Sequence, residues 1–155
     1  MKKFDTTPPL LPEILALHGK WRADRDAVIW EDQRWSWAQF CSANHRFANG
    51  LIAKGVKPGE RVAIVMANGI SMVQAIFGTL ASGACSVPIN LSVTDEALAG
   101  MLADAGVVAL VASSDQAGRI NGLAQSLPEC LQLLISDAEP EPGWITIEQL
   151  CAGQS

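Results

Sequence analysis

The sequence predicts an α/β protein in which a layered, mainly parallel β-sheet is flanked by helices and follows an N-terminal helix and a small hairpin. Between residues 62 and 135, short apolar runs typical of buried strands alternate with helical segments. Residues 62–94 also carry no charge, as expected for strands and helices at the centre of a parallel sheet covered on both faces. Of the 155 residues, 49% are apolar, which is enough for one core.

The chain begins with a predicted helix and hairpin. Ile14, Leu17 and Trp21 recur at helical spacing and predict an apolar stripe facing the core. Two short extended runs, 28–30 and 34–35, are joined around Asp32 and Gln33 and predict a hairpin.

A second helix is predicted over residues 37–54. Ser36 and Gln39 have the spacing of a capping box at its start, and Gly55 ends it. Its apolar stripe consists of Phe40, Phe47 and Leu51.

The predicted sheet has strands joined by right-handed helical crossovers. The strands are Val62–Met66, Cys85–Pro88, Val107–Val111 and Leu131–Ile135. The helices between them are Ile70–Ser82, one that starts at Thr94 and ends at Gly106, and Asp115–Leu127. Residues 137–143 form an acidic, proline-rich connector, followed by an extended piece at 144–147 and a helical piece at 148–151. On length and composition we expect residues 1–155 to form a single domain.

The distribution of charge disfavours a nucleic-acid binder. The net charge is −5, and residues 62–155 hold only Arg119 against nine acidic residues, whereas binding phosphates needs a basic face. The uncharged stretch contains Asn68-Gly69, Gln74 and Pro88, which leave no run long enough for a membrane span. The N-terminus has lysines but no apolar segment behind them, so the cytoplasm is the expected location.

The cysteines and histidines predict no metal site. Cys41, Cys85, Cys130 and Cys151 lack any zinc-binding spacing, and we expect buried, structural thiols. His45 lies on a predicted helix with no nucleophile near it in sequence and is expected to be structural.

Three other sequence patterns are candidate sites. The glycines Gly78 and Gly83 have phosphate-loop spacing, but Ala84 and Cys85 follow where Lys and Ser/Thr would be needed, which favours packing. The turn at 66–71 leads into a helix N-terminus that would offer free N–H groups to an anion, although a simple turn and cap is favoured. Asp95 and Glu96 point apart on a helix and suit its dipole rather than acid–base catalysis.

The tryptophans are concentrated around the predicted hairpin, where Arg34 is the one basic residue between Trp30 and Trp37. We therefore expect a packed aromatic cap rather than a platform for stacking bases. The five are Trp21, Trp30, Trp35, Trp37 and Trp144.

Several segments, in order and at the right spacing, resemble the N-terminal region of the AMP-forming acyl-CoA synthetase, or adenylate-forming, superfamily. The resemblance covers about residues 12–151 and implies that residues 1–155 are a single partial domain. It is carried by Ser36-Trp37-Ala38-Gln39-Phe40, by 55–64 (Gly-Val-Lys-Pro-Gly-Glu-Arg-Val-Ala-Ile), by Asn68, by 83–90 (Gly-Ala-Cys-Ser-Val-Pro-Ile-Asn) and by Thr94-Asp95-Glu96-Ala97-Leu98.

The resemblance implies an enzyme that uses Mg-ATP to convert a carboxylate into an acyl-adenylate and then transfers the acyl group to a thiol, usually that of coenzyme A. The Ser/Thr/Gly-rich loop, the later nucleotide-binding segments and the lysine of a C-terminal domain are absent from residues 1–155. We therefore expect an inactive fragment with no catalytic, cofactor-binding or metal-binding residue of its own. ATP, Mg and CoA belong to a longer parent, whose remaining part is the expected partner.

The acceptor and two other classes remain open. The segment 89–96 resembles the CoA ligases more than the adenylation domains that load carrier proteins, but Leu91 and Ser92 replace a Pro-Arg pair common in those ligases. A non-catalytic binding module is the main alternative, and a flavodoxin-type nucleotide-binding protein is disfavoured by the lack of a phosphate loop. Because the helix 70–82 is apolar on every side, we expect an exposed apolar face and self-association.

Overall fold

The structure is a computed structural model that describes residues 9–139 and 141–155. Its helices are α1 (Leu11–Trp21), α2 (Trp37–Ala53), α3 (Ile70–Ala81), α4 (Asp95–Ala105), α5 (Ser114–Gly122) and α6 (Ile147–Cys151), with a 3₁₀ turn at Ala124–Ser126. Its strands are β1 (Asp26–Trp30), β2 (Gln33–Ser36), β3 (Arg61–Val65), β4 (Cys85–Pro88), β5 (Ala109–Ala112), β6 (Leu133–Ser136) and β7 (Ile145–Thr146).

The main sheet has the strand order β4-β3-β5-β6-β7, and every pair in it is parallel. In the register, Val62 faces Ser86 on one side and Ala109 on the other. The hairpin β1-β2 forms a separate antiparallel pair. The predicted parallel sheet and hairpin are therefore confirmed, and the sheet gains β7 at one edge.

The core lies on both faces of this sheet, as predicted. Alternate residues of β3 point to opposite sides, so Val62 and Ile64 join one apolar cluster while Ala63 and Val65 join the other. The first cluster contains side chains of α2, α3 and α6, and the second contains side chains of α4 and α5.

The predicted caps are formed. Ser36 Oγ accepts a hydrogen bond from Gln39 N at 3.3 Å, and Gln39 Oε1 accepts one from Ser36 N at 2.9 Å. Thr94 Oγ1 accepts from Ala97 N at 3.2 Å. At the other end of α4, Gly106 has a φ of 57°, the left-handed conformation that the glycine stop requires.

Two predicted helices differ in the structure. The segment predicted as a helix over 115–127 leaves α-helical geometry after Gly122 and continues as a 3₁₀ turn. On α1, Ile14, Leu17 and Trp21 are exposed rather than inward. The helix instead contacts α2 through other residues: Leu15 O accepts a hydrogen bond from Cys41 Sγ, and the His18 ring stacks on Trp37.

The helix 70–82 was expected to present an exposed apolar face, but the exposed apolar side chains lie elsewhere in the structure. Helix α3 lies against β3 on one side and α2 and α1 on others, and each of its apolar side chains is buried or half-buried. Among the described residues, the exposed large apolar side chains lie on and next to α1, on the hairpin and at single positions elsewhere, and they are Leu10, Leu11, Ile14, Leu17, Trp21, Ile29, Trp30, Ile52 and Met101.

The expectation of four buried thiols is also wrong. All four cysteines lie in the described residues as free thiols, with Cys85 and Cys130 exposed and Cys41 and Cys151 half-buried. The reason is that Cys85 starts an edge strand and Cys130 lies in the connection before β6.

The predicted aromatic cap is formed only in part. Trp37 packs edge-on against Phe40, whereas Trp21 and Trp30 are exposed. Trp144 is buried in the second apolar cluster, where its Nε1 donates to Asn121 Oδ1 at 2.9 Å.

In the described part of the chain, no helix combines the length and the hydropathy needed to cross a bilayer.

Candidate functional site

The carboxyl edge of the main sheet is the candidate site. From β3 the chain crosses to β4 on one side and then returns to β5 on the other. Ligands of open parallel sheets bind outside the carboxyl ends of the strands at such a switch point. The segments at this edge are 66–69 after β3, 89–94 after β4, Ser113 after β5 and Asp137 after β6.

Hydrogen bonds join three of these segments into one framework. Ser113 N donates to Val65 O at 3.2 Å, and Ser113 Oγ accepts from Ala67 N at 3.3 Å. Asp137 N donates to Ala112 O at 3.1 Å, and its Oδ1 accepts from Ser114 N at 2.8 Å. The segments after β3, β5 and β6 are thus held at fixed positions relative to one another.

A groove of about 560 Å³ lies between the segments after β3 and β4. Its lining is mostly apolar, with two asparagines, and comprises Met66, Ala67, Asn68, Met72, Pro88, Ile89, Asn90 and Leu91. We call this cavity the edge groove. A few polar groups on an apolar wall are typical of small-molecule sites.

A second cavity of about 580 Å³ lies among α2, α3, α6 and the segment after β6. Its polar lining includes Arg46, Ser71, Gln74 and Asp137. Gln74 is buried and donates from Nε2 to Ala43 O at 3.2 Å. Burial raises the pKa of the Cys151 thiol in the same cavity, and the charge of Arg46 opposes that rise.

The turn at 66–71 is the predicted candidate that does lie at this edge. Helix α3 begins after Gly69 with no side-chain cap among the described residues, so its first N–H groups face the carboxyl edge. The indole of Trp30 lies beside Gly69. The hairpin therefore contributes an aromatic ring near the site, which the sequence did not predict.

The other candidates have structural roles. Gly78 lies inside α3 against Phe47, where an added Cβ would be 2.6 Å from the ring, so the prediction of packing is confirmed. Asp95 Oδ1 accepts a hydrogen bond from Arg119 Nε at 2.7 Å, and Asp95 and Glu96 occupy the first turn of α4. His45 is exposed on α2.

One charged group at the edge has a perturbed pKa. The pKa of Asp115 is lowered because its carboxylate accepts hydrogen bonds from the side chains of Ser113 and Gln116. Asp115 is exposed in the first turn of α5, so it stabilises the start of that helix rather than holding a proton for catalysis.

The described residues at this edge do not fit the phosphates and magnesium of Mg-ATP. Among them, no group of three or more His, Cys, Asp or Glu side chains is arranged to hold a metal ion. Arg119 is the only basic residue after Arg61, and its guanidinium is bound to Asp95 and to backbone carbonyls. Arg46, from α2, lines the second cavity together with the carboxylates of Asp137 and Glu148. We therefore derive no chemical step through Mg-ATP from these residues.

The roles of Ser113, Asp137 and Arg119 were not predicted from the sequence. Each of these residues bonds to a segment that is distant in the sequence and that the strand order places next to it. A weak signal was available for Arg119, because a single basic residue among nine acidic ones in an otherwise apolar half is expected to be paired.

Comparison with known proteins identifies the class. The sequence profile of the family described as AMP-binding enzyme matches residues 17–153. The chain belongs to this family, and its fold is that of the adenylate-forming ligases.

Relatives by sequence come from two kinds of enzyme. Pyochelin synthetase PchE of Pseudomonas aeruginosa is 40% identical over 68 residues, which is 44% of this chain and 5% of that protein. A medium/long-chain-fatty-acid–CoA/3-oxocholest-4-en-26-oate–CoA ligase of Mycobacterium marinum is 29% identical over 112 residues, which is 72% of this chain and 20% of that protein.

Solved structures share the fold at low identity. The anthranilate CoA ligase AuaEII, in complex with anthranoyl-AMP, superimposes with a TM-score of 0.89 at 22% identity over 99% of this chain and 30% of its own. A structure described as a long-chain-fatty-acid CoA ligase from Rhodopseudomonas palustris gives a TM-score of 0.87 at 23% identity, over 92% of this chain and 36% of its own. The chain thus spans about a third of these structures.

Proposed function

We propose that this chain is the first part of an ATP-dependent, AMP-forming ligase that joins a carboxylic acid to coenzyme A. The observation that carries the proposal is the family match over residues 17–153, on a fold shared with solved CoA ligases. In the proposed reaction, a carboxylate oxygen attacks the α-phosphorus of ATP and pyrophosphate leaves. The thiolate sulfur of CoA then attacks the acyl carbon and releases AMP.

Within that enzyme, the described residues supply a framework rather than the reacting groups. The bonds of Ser113 and Asp137 fix the carboxyl edge, and the edge groove gives an apolar wall next to it. Charge that develops on the phosphates needs preorganised donors and cations, and we assign these, with ATP, Mg and CoA, to the remainder of the ligase.

A carrier protein is the second candidate for the acceptor. The relatives include a dimodular nonribosomal peptide synthase of Bacillus subtilis as well as a CoA ligase, and Leu91 and Ser92 stand where many CoA ligases carry Pro-Arg. To decide between them, the longer open reading frame would be expressed and assayed for carboxylate-dependent AMP release with CoA or with a phosphopantetheinylated carrier protein. Thioester formation on CoA supports the first candidate, and acyl loading of the carrier alone overturns it.

A cytoplasmic location is part of the proposal. The four cysteines of this chain are free thiols, and free thiols are typical of proteins in a reducing compartment.

The first prediction is that residues 1–155 alone do not form an acyl-adenylate. The physical reason is that the Ser/Thr/Gly-rich loop and the later lysines implied by the family resemblance are absent from residues 1–155. Of the cations near the described edge, Arg119 is engaged by Asp95, and Arg46 shares its cavity with the carboxylates of Asp137 and Glu148. Carboxylate-dependent exchange of pyrophosphate into ATP measures the first step directly, with a heat-denatured sample as control. Exchange above that control would contradict the prediction, whereas exchange by the longer gene product would support the proposed function.

A further inference from the structure

The guanidinium of Arg119 binds the segment that follows β4. Arg119 lies on α5 and its side chain is 20% exposed. Its Nε donates to Asp95 Oδ1 at 2.7 Å, Nη1 donates to Leu91 O at 3.1 Å, and Nη2 donates to Val93 O. A planar guanidinium holds such acceptors in one geometry, so one side chain fixes three points along five residues.

The segment held in this way is a wall of the edge groove. Asn90 and Leu91 line the groove, and Leu91 is the residue whose carbonyl oxygen receives Nη1. The segment has two internal hydrogen bonds: Ser92 N donates to Asn90 Oδ1 at 2.8 Å, and Val93 N donates to Asn90 O at 3.4 Å. The side chains of Leu91 and Val93 pack against the second apolar cluster. Neither internal bond engages the carbonyl oxygens of Leu91 and Val93, which are the acceptors that Arg119 binds.

Helix α5 does not depend on Arg119 for its position. Ala117 and Ile120 of α5 are fully buried in the second apolar cluster, and Asp137 accepts a hydrogen bond from its first N–H group. Helix α5 is therefore anchored independently of the Arg119 side chain. Removal of the guanidinium should make residues 90–94 more mobile and leave the helix in place.

We propose that Arg119 is a positioning residue, which holds residues 90–94 in one conformation and thereby sets the shape of the edge groove. The effect on the segment is a property of this chain. Its use in binding a substrate rests on the proposed function.

The experiment measures amide hydrogen exchange by mass spectrometry in the purified chain. In Arg119→Gln, the peptide covering residues 90–94 exchanges about tenfold faster, the effect expected from the loss of charge-assisted bonds. Peptides from β3 and β5 keep their wild-type rates. Arg119→Lys, which keeps the charge but not the planar fork, restores part of the protection. Arg34→Gln is the matched control, because Arg34 makes a comparable ion pair with Asp26 on the exposed hairpin.

Two outcomes overturn the proposal: an unchanged rate at 90–94 in Arg119→Gln, or an equal rise at 90–94 and in β3 and β5, which would show only a loss of global stability. If Arg119→Gln fails to fold, Asp95→Asn takes its place. The side chain of Asp95 is 65% exposed, so Asp95→Asn should raise the exchange rate at 90–94 by less than tenfold. Such a rise with unchanged rates in β3 and β5 supports the proposal, and any other pattern overturns it.

The exchange experiment does not depend on catalysis, so it is separable from the proposed function. In an active longer ligase, Arg119→Gln should raise the KM of the substrate that occupies the groove severalfold and leave kcat nearly unchanged. An inactive wild-type ligase would contradict the proposed function while the exchange result stands. A fall in kcat at constant KM would overturn the assignment of Arg119 to substrate positioning.

Discussion

Arg61 illustrates what the residues that carry the family resemblance do in the fold. Its Nε and Nη2 donate to Ala105 O at 2.7 Å and Gly106 O at 3.0 Å, and so bind the carbonyls at the end of α4. Its neighbour Glu60 accepts a hydrogen bond from Lys57 N at 2.8 Å across the turn before β3. Arg61 and Glu60 therefore have structural roles, and the motif that contains them identifies the fold rather than a catalytic site.

A prediction at the scale of single residues concerns thiol reactivity. Burial raises the pKa of the Cys41 and Cys151 thiols, so at a pH near 8 a smaller fraction of each is the reactive thiolate than in the unfolded chain. Cys85 and Cys130 are exposed. We expect iodoacetamide to label the exposed pair first, as read by mass spectrometry of the peptides, and all four at similar rates in urea.

The same shifts give the sign of a pH effect. A thiol whose pKa is higher in the folded protein stays protonated while the unfolded chain ionises, so its contribution to stability is present below the unfolded pKa and is lost as the pH rises towards the folded one.

Equal labelling of Cys41 and Cys85 by iodoacetamide in the native protein would contradict the burial of Cys41, on which both the labelling and the pH expectations rest.

At the scale of elements, the packing of α3 on α2 depends on a glycine. A Cβ at Gly78 would lie 2.6 Å from Phe47, whose side chain is fully buried. We expect Gly78→Ala to lower the free energy of unfolding by about 1–3 kcal/mol, as overpacking in a core does. Urea unfolding monitored by circular dichroism measures the change.

Gly100 is the matched control, since it lies inside α4 with open space where its Cβ would be. Gly100→Ala should raise the free energy of unfolding by about 0.5–1 kcal/mol, because alanine restricts the unfolded chain and favours a helix. Equal effects at the two positions would show that Gly78 is not in close contact with α2.

Local patterns in the sequence predicted the elements but not their exact ends or their outer contacts. Val107 was predicted to start a strand, yet its N–H group bonds to Leu102 O at the end of α4, and β5 begins two residues later. The stripe of Ile14, Leu17 and Trp21 correctly predicted a helix. Which side of α1 meets α2 depends on contacts such as Cys41 with Leu15, which lie far apart in sequence.

The candidate site was predicted less completely than the fold. The turn at 66–71 was predicted because a strand, a glycine and a helix follow one another in sequence. The bonds of Ser113 to Ala67 and of Asp137 to Ser114 span 46 and 23 residues. They exist only because β5 lies between β3 and β6, and strand order has no local signature.

At the scale of the whole molecule, the distribution of exposed apolar side chains is uneven. Leu10, Ile14, Leu17 and Trp21 follow one another at helical spacing and are 36–74% exposed, so they form a stripe along one side of α1. Ile52 and Met101 are also exposed but lie on α2 and α4. A contiguous apolar stripe is typical of an interaction surface, whereas apolar side chains scattered singly are normal on a protein surface.

The last prediction is that the chain self-associates through the α1 stripe. At about 100 μM we expect sedimentation faster than that of a monomer and binding of a hydrophobic dye, because a second copy would remove the stripe from water. The double variant Leu17→Gln, Trp21→Gln should sediment as a monomer and bind less dye, since both side chains are already exposed and their loss costs the fold little. The matched control Ile52→Gln, Met101→Gln removes two exposed apolar side chains outside the stripe and should behave as the wild type. A monomeric wild type without dye binding would refute self-association, and an equal effect of both double variants would refute its assignment to α1.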